Sequence, residues 1–204
     1  MFNNRRTSGF GSRKSASDQT PRKKLPPKIT EHYLQWVVDD YLKKFFTSKA
    51  HLRRLIMQRV KKSAQAHGEG LEEGTQLLDA LLDRLEASGV LNDTAYAASK
   101  VRSLSARGGS ARGIAAKLGA KGLSSENVKE GLEKLKDNSD SPELDAAIIL
   151  ARRKRLGPFG KPEGRMERRQ KEMAAMGRAG FSFDLARKII NATDDAAIEE
   201  LRER

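Results

Sequence analysis

The chain has no cysteine among its 204 residues, which excludes a disulfide framework, a thiolate metal site and a cysteine nucleophile. Aromatic residues make up only 5%, beside 17 glycines and 6 prolines. So small a supply of bulky strand formers argues against a β-sandwich or barrel. Runs of about 18 apolar residues are missing too, so no segment is expected to span a membrane. The first residues are basic, but no apolar stretch follows them, and they do not read as a secretory signal. Positive charge, by contrast, is plentiful: 40 Lys and Arg against 27 Asp and Glu leave a formal net charge of +13. The chain is long enough to bury a real core. The expectation is a soluble protein of a reducing compartment, with an anionic polymer or an acidic protein surface as its partner.

More than half of that charge sits at the start. Residues 1–28 hold eight Lys or Arg and one acid, Asp18, among Asn, Ser, Thr, Gly and Pro. Too little apolar surface is available there to offset backbone ordering, which predicts a disordered basic arm closed by Pro26-Pro27. Such an arm serves either as a solubilising tail or as a phosphate-touching extension.

From Thr30 onward the periodicity is helical. Thr30 can cap a helix through Leu34, Val37, Val38, Tyr41, Leu42 and Phe45, and Ser48 a second through Leu52, Leu55, Ile56 and Val60. Thr75 is read as opening a third, with leucines at 77, 78, 81, 82 and 85 and a stop at Gly89. Asn92 or Asp93 opens a fourth, Ser110 a fifth, and Ser124 or Ser125 a sixth. Ser141-Pro142 is a cap followed by proline at the first helical position. An eighth helix runs from about Arg165 to Gly180, and Ser182 opens a ninth. No segment alternates with period two for long enough to form a strand, so the fold is expected to be all-α.

The nine helices fall into three similar triplets. A shift of 58 residues lays Leu118 on Met176, Gly122 on Gly180, Leu123 on Phe181 and Ser124 on Ser182. A shift of 62 lays Ser48, Leu52 and Ile56 on Ser110, Ile114 and Leu118. Short helix triplets cannot bury their apolar faces alone, which predicts an elongated stack of three tandem three-helix repeats. The expected boundaries are residues 29–91, 92–136 and 142–193, with an acidic helical tail over 194–204. Charge follows the same triplets. Residues 41–62 carry eight Lys or Arg and no acid, whereas residues 69–86 carry six acids and only Arg84. Residues 93–123 carry six cations against Asp93, and residues 152–178 ten against three acids. In a stack, such patches become a positive edge and a negative one, and a long positive edge suits a long ligand.

Catalytic patterns are few and weak. His32, His51 and His67 show no metal-ligand spacing. Gly157-Pro158-Phe159-Gly160 lacks the Lys-Ser/Thr that a phosphate-binding loop needs. Asp39 and Asp40 are adjacent, so on a helix they point about 100° apart. His51-Leu52-Arg53-Arg54 with Tyr96 imitates a tyrosine recombinase, but Tyr96 falls where the repeat wants a core residue. A helix-turn-helix reading of Ser110 to Leu123 offers Arg112 and Lys117 without Asn or Gln for adenine, which suits phosphate contact better than base reading. No cofactor, metal or enzymatic activity is expected.

The segment Leu85-Glu86-Ala87-Ser88-Gly89-Val90-Leu91-Asn92-Asp93-Thr94-Ala95-Tyr96-Ala97 resembles the signature of the RecX family, regulators of the bacterial RecA recombinase. The resemblance continues through Arg107-Gly108-Gly109-Ser110-Ala111-Arg112-Gly113-Ile114 and Lys121-Gly122-Leu123. Ser48 to Arg54 fits the family's serine-capped basic helix, and Gly177-Arg178-Ala179-Gly180-Phe181 its arginine-glycine-phenylalanine close. Phe45-Phe46 depart from it, standing where basic residues are common, and the arm lies outside it. The resemblance implies a curved stack of three-helix repeats in the bacterial cytoplasm, without enzymatic activity. It further implies binding to the RecA–single-stranded DNA filament in its helical groove, limiting extension, ATP turnover and strand exchange.

Charge segregation, rather than any matched site, nominates the contacts. They are Arg53, Arg54 and Arg59 in the first repeat, Arg107, Arg112, Lys117 and Lys121 in the second, and Arg165, Arg168, Arg169 and Lys171 in the third. The expected partners are RecA filament and single-stranded DNA, bound by a monomer through phosphates rather than sequence. A non-specific DNA-binding or architectural protein acting without RecA is the other reading.

Overall fold

The computed structural model describes residues 25–203, among which there are ten α-helices, one short 3₁₀ turn and no strand. The helices are α1 (Glu31–Leu42), α2 (Lys49–His67), α3 (Leu71–Ala87), α4 (Asp93–Ser105) and α5 (Ala111–Gly119). They continue as α6 (Ser125–Glu133), α7 (Pro142–Lys154), α8 (Arg165–Arg178), α9 (Phe183–Asn191) and α10 (Asp195–Glu203). Residues 1–24, and with them most of the expected arm, lie outside the described residues. Its last residues are held on the first repeat: His67 Nε2 is 2.8 Å from the Pro26 carbonyl, and Lys28 pairs with Glu69.

Most helix starts follow the capping chemistry. The side chains of Thr30, Ser48, Asn92, Ser110, Ser124 and Ser182 each accept from an amide three residues on. That satisfies one of the orphan donors at each N-terminus. The start of α3 departs from expectation. It opens at Leu71 with no side-chain cap, and the Thr75 hydroxyl instead donates to the Leu71 carbonyl inside the helix at 2.8 Å. Glu72 and Glu73 in the first turn supply the negative charge that a helix N-terminus favours. The segment expected as a tail forms α10, whose Ile198 is fully buried in the third core.

Three separate cores result. The first gathers Leu34, Val38, Leu52, Ile56, Leu78 and Leu82 from α1 to α3. The second gathers Tyr96, Val101, Ile114, Leu118 and Val128 from α4 to α6. The third gathers Ile148, Met176, Phe181, Ile189 and Ile198 from α7 to α10. The repeat is geometric as well as textual. Leu123 N–H donates to the Leu118 carbonyl and Phe181 N–H to that of Met176, both at 3.2 Å, across glycines 122 and 180 held at φ +85° and +96°.

The middle core is the smallest, seven buried residues against eleven and thirteen, so the second repeat depends most on its neighbours. Both boundaries use the same joint. A carboxylate from the next repeat's first helix accepts the first amide of the serine-capped second helix: Asp93 from Lys49 N–H and Glu143 from Ala111 N–H, each at 2.8 Å. In both joints a turn glycine then presses on the helix: a Cβ on Gly122 would meet Ala50 at 2.7 Å, and one on Gly180 would meet Ser110 Oγ at 2.5 Å. Among the described residues no hydrogen bond or ion pair joins the first repeat to the third. The middle repeat is therefore a spacer clamped from both sides.

Candidate polyanion interface

The nominated cations divide by what they touch. On α2, Arg53 points back to the acidic α3, where Nε and Nη2 meet the two oxygens of Asp79 at 2.7 and 2.9 Å. Hydrogen bonding to Arg53 holds the Asp79 carboxyl below the usual carboxylate range, and the same bond raises the guanidinium. Lys49 is likewise drawn to Asp83 and Glu86, which raise its pKa through hydrogen bonding. These cations are locally compensated. Arg54 turns the other way and donates to the Lys121 carbonyl of the second repeat at 3.3 Å. Arg59 reaches the Tyr33 hydroxyl.

In the second repeat, Arg107 leaves the end of α4, Arg112 and Lys117 lie on α5, and Lys121 lies in the turn that follows it. All four are exposed, and among the described residues none has an acid within ion-pair distance. Lys117 and Lys121 are four residues apart, about 6 Å along an α-helical rise.

In the third repeat the cations are used differently. Arg165 donates to the carbonyls of Ile190, Ala192 and Thr193, closing the end of α9. Arg168 bonds the carbonyls of Lys161 and Glu163 and pairs with the buried Glu172, which also accepts the Gly157 N–H at 2.8 Å. Arg169 donates to Asn191 at 2.8 Å, and Lys171 is exposed without an acid partner among the described residues. The α8 arginines thus hold the 157–164 loop and α9 in place.

The third repeat instead contributes a cation that charge counting did not single out. Arg153, on α7, donates from Nη1 to the Arg107 carbonyl at 2.7 Å. It lines a cavity of about 240 Å³ together with Arg107 and Lys117. It belongs to Arg152-Arg153-Lys154-Arg155, the one run of four consecutive cations in the chain, a signal that was present. Its neighbour Arg152 is taken up by Asp195 and Glu199. Which of the four would face the second repeat depends on the docking of α7.

A single row emerges: Arg54 from the first repeat, Lys121, Lys117 and Arg107 from the second, and Arg153 from the third. It crosses both boundaries, and no ion pair with an acid interrupts it among the described residues. Chemically it offers donors to a string of phosphates or carboxylates and holds no convergent acid–base pair. Tyr96 is buried in the second core, which pushes its phenol pKa up. No group of three or more His, Asp or Glu among the described residues could hold a metal, and no helix there is long and apolar enough to cross a membrane.

The family model for RecX, second three-helix domain, matches residues 92–132. The Regulatory protein RecX of Myxococcus xanthus is 42% identical over 171 residues, covering 83% of this chain and 90% of that protein. That of Mycobacterium avium is 32% identical over 161 residues, covering 77% and 89%. That of Agrobacterium fabrum is 39% identical over 107 residues, covering 52% and 55%. No solved structure gives a significant match.

Proposed function

The chain belongs to the RecX family of regulatory proteins, and from that premise we propose that it is a negative regulator of the RecA recombinase. It binds the RecA–single-stranded DNA filament in its helical groove and limits filament extension, ATP hydrolysis and strand exchange during recombinational repair and the SOS response. It works as a cytoplasmic monomer, by binding rather than by catalysis.

The observation that supports this reading is the uncompensated row Arg54, Lys121, Lys117, Arg107 and Arg153, spread over three repeats joined by hydrogen bonds across both boundaries. A filament presents the same anionic surface at a fixed spacing. Several weak contacts held at that spacing add, because each one raises the effective concentration for the next. A ligand that bridges successive protomers competes with subunit addition. Because the contacts are ionic, binding should weaken as salt rises. Arg53 is tied to α3 and Arg59 to α1, and Arg165, Arg168 and Arg169 hold the 157–164 loop and α9, so these five stand apart from the row. Arg112 and Lys171 are exposed cations without an acid partner among the described residues.

The test is RecA-dependent ATP hydrolysis on single-stranded DNA, titrated with the full chain and with a variant carrying Arg107, Arg112, Lys117 and Lys121→Ala. Inhibition by the native chain well below saturation of the DNA, and its weakening in the variant with helical circular dichroism unchanged, is the expected result. Equal inhibition by both at moderate salt would overturn the assignment of the row. Inhibition only when the DNA is saturated would favour a non-specific DNA-binding protein instead.

A further inference from the structure

The cavity between the second and third repeats is more specific than a charged face. Arg107 comes from the α4–α5 turn, Lys117 from the second turn of α5, and Arg153 from the last turn of α7. Three elements from two repeats thus converge on one space of about 240 Å³, and no acid lines it. The Arg153–Arg107 contact is made to a carbonyl, which spends one of five guanidinium N–H groups and leaves its charge whole. Like charges gathered without a counter-ion repel one another, so stability alone gives no reason for the arrangement. The glycine side of the wall packs closely on the third repeat. A Cβ on Gly108 would meet the Leu150 amide nitrogen at 2.7 Å, and one on Gly113 the Ala179 carbonyl at 2.9 Å. Backbone packed on backbone therefore fixes where this wall sits against the third repeat, and Leu104 and Ile114 make part of the lining apolar.

We infer that this inter-repeat cavity receives one phosphodiester group of a single-stranded nucleic acid, with Arg153 as the anchoring donor and Arg107 and Lys117 flanking it. A planar guanidinium fork suits phosphate oxygens, and an apolar part of the lining suits the adjoining sugar carbons. The inference deepens the filament-binding reading and rests on it for the biological source of the strand. It adds that nucleic acid, rather than protein, fills this part of the row. Because the cavity is built across a repeat boundary, occupancy would also brace the second repeat against the third.

The experiment is fluorescence anisotropy of a labelled oligo(dT) with the full chain, at several salt concentrations and without RecA. It compares the native chain with Lys117→Ala, a solvent-facing change that leaves the core intact, and with Arg153→Gln. Each variant should bind more weakly, with a salt slope shallower by about 0.7, the share of one single-strand phosphate. Competition of the labelled strand with inorganic phosphate and with thymidine monophosphate forms the second arm, and neither should displace it at the phosphate concentration at which unlabelled oligo(dT) does. Free phosphate or mononucleotide displacing the strand stoichiometrically would overturn the polymer assignment in favour of a small anion. Unchanged oligo(dT) binding in both variants would overturn the inference outright. If those variants nevertheless lost inhibition of RecA ATP hydrolysis, the cavity would be receiving a protein carboxylate and the regulatory reading would stand without the inference. A native chain that fails to inhibit RecA while both variants show the shallower slope would sink the regulatory reading and leave the phosphate site standing.

Discussion

Replacing Ser110 by alanine tests how the second and third repeats are joined. Ser110 is fully buried, and its hydroxyl does two things at once. It accepts the Gly113 N–H at 3.0 Å as the cap of α5, and it donates to the Ala179 carbonyl at 2.6 Å across the boundary. Loss of a cap alone costs about 1 kcal/mol. Losing the bond to the half-buried Ala179 carbonyl adds about 1 kcal/mol, so the total is about 2 kcal/mol. Ser124 provides the control within the same chain. It is exposed and caps α6 by accepting the Asn127 N–H at 3.2 Å, with no second bond. Ser124→Ala should therefore cost only about 1 kcal/mol. For a chain of this size each kcal/mol moves the midpoint by about 2–4 °C. Thermal unfolding followed by far-ultraviolet circular dichroism should separate the two variants clearly. Indistinguishable midpoints would mean that the hydroxyl bridge to Ala179 contributes nothing to the joint.

Two further outcomes follow from the packing and the charges. Ile198→Ala, which empties a fully buried position on α10, should cost about 2–4 kcal/mol in urea unfolding; a loss below about 0.5 kcal/mol would return residues 195–203 to the status of an appended tail. Asp79, whose carboxyl is held down by Arg53, adds stability above its unfolded pKa of about 3.9 and loses it as the pH falls through its lower folded value. Since the pair is two-fifths exposed, the effect at neutral pH is about 0.5 kcal/mol after solvent screening. Asp79→Asn should be less stable by that amount at pH 7 and converge on the native chain as the pH falls through the lowered folded pKa of Asp79, and a gap that persisted once that carboxyl is protonated would refute the ion-pair account.

Local chemistry was legible wherever one residue type does one job. Ser48, Ser110, Ser124 and Ser182 cap helices because a hydroxyl beside a helix start satisfies an amide that nothing else can reach. Thr75 misled for the same reason: its hydroxyl can equally bond the carbonyl four residues back, and the acids at Glu72 and Glu73 had already opened α3 one turn earlier. The double use of acids was harder to see. Of the two caps open to the fourth helix, Asn92 takes the role, and the Asp93 carboxylate instead serves the amide of Lys49, 44 residues away.

By itself, the sequence determined the all-helical class, the threefold repetition and the order of cores, because caps, stops and apolar spacing act over a few residues. It also determined that the protein would carry dense positive charge. Which charges remain available was decided only by the tertiary structure. Arg53 and Arg168 are matched by acids on other turns or helices, and Arg165 closes the end of α9, while Arg153 is carried to Arg107 by the docking of α7. Charge sign is a property of the residue, but whether that charge is free depends on what the fold brings within about 4 Å of it, where Coulombic pairing and hydrogen bonding take hold.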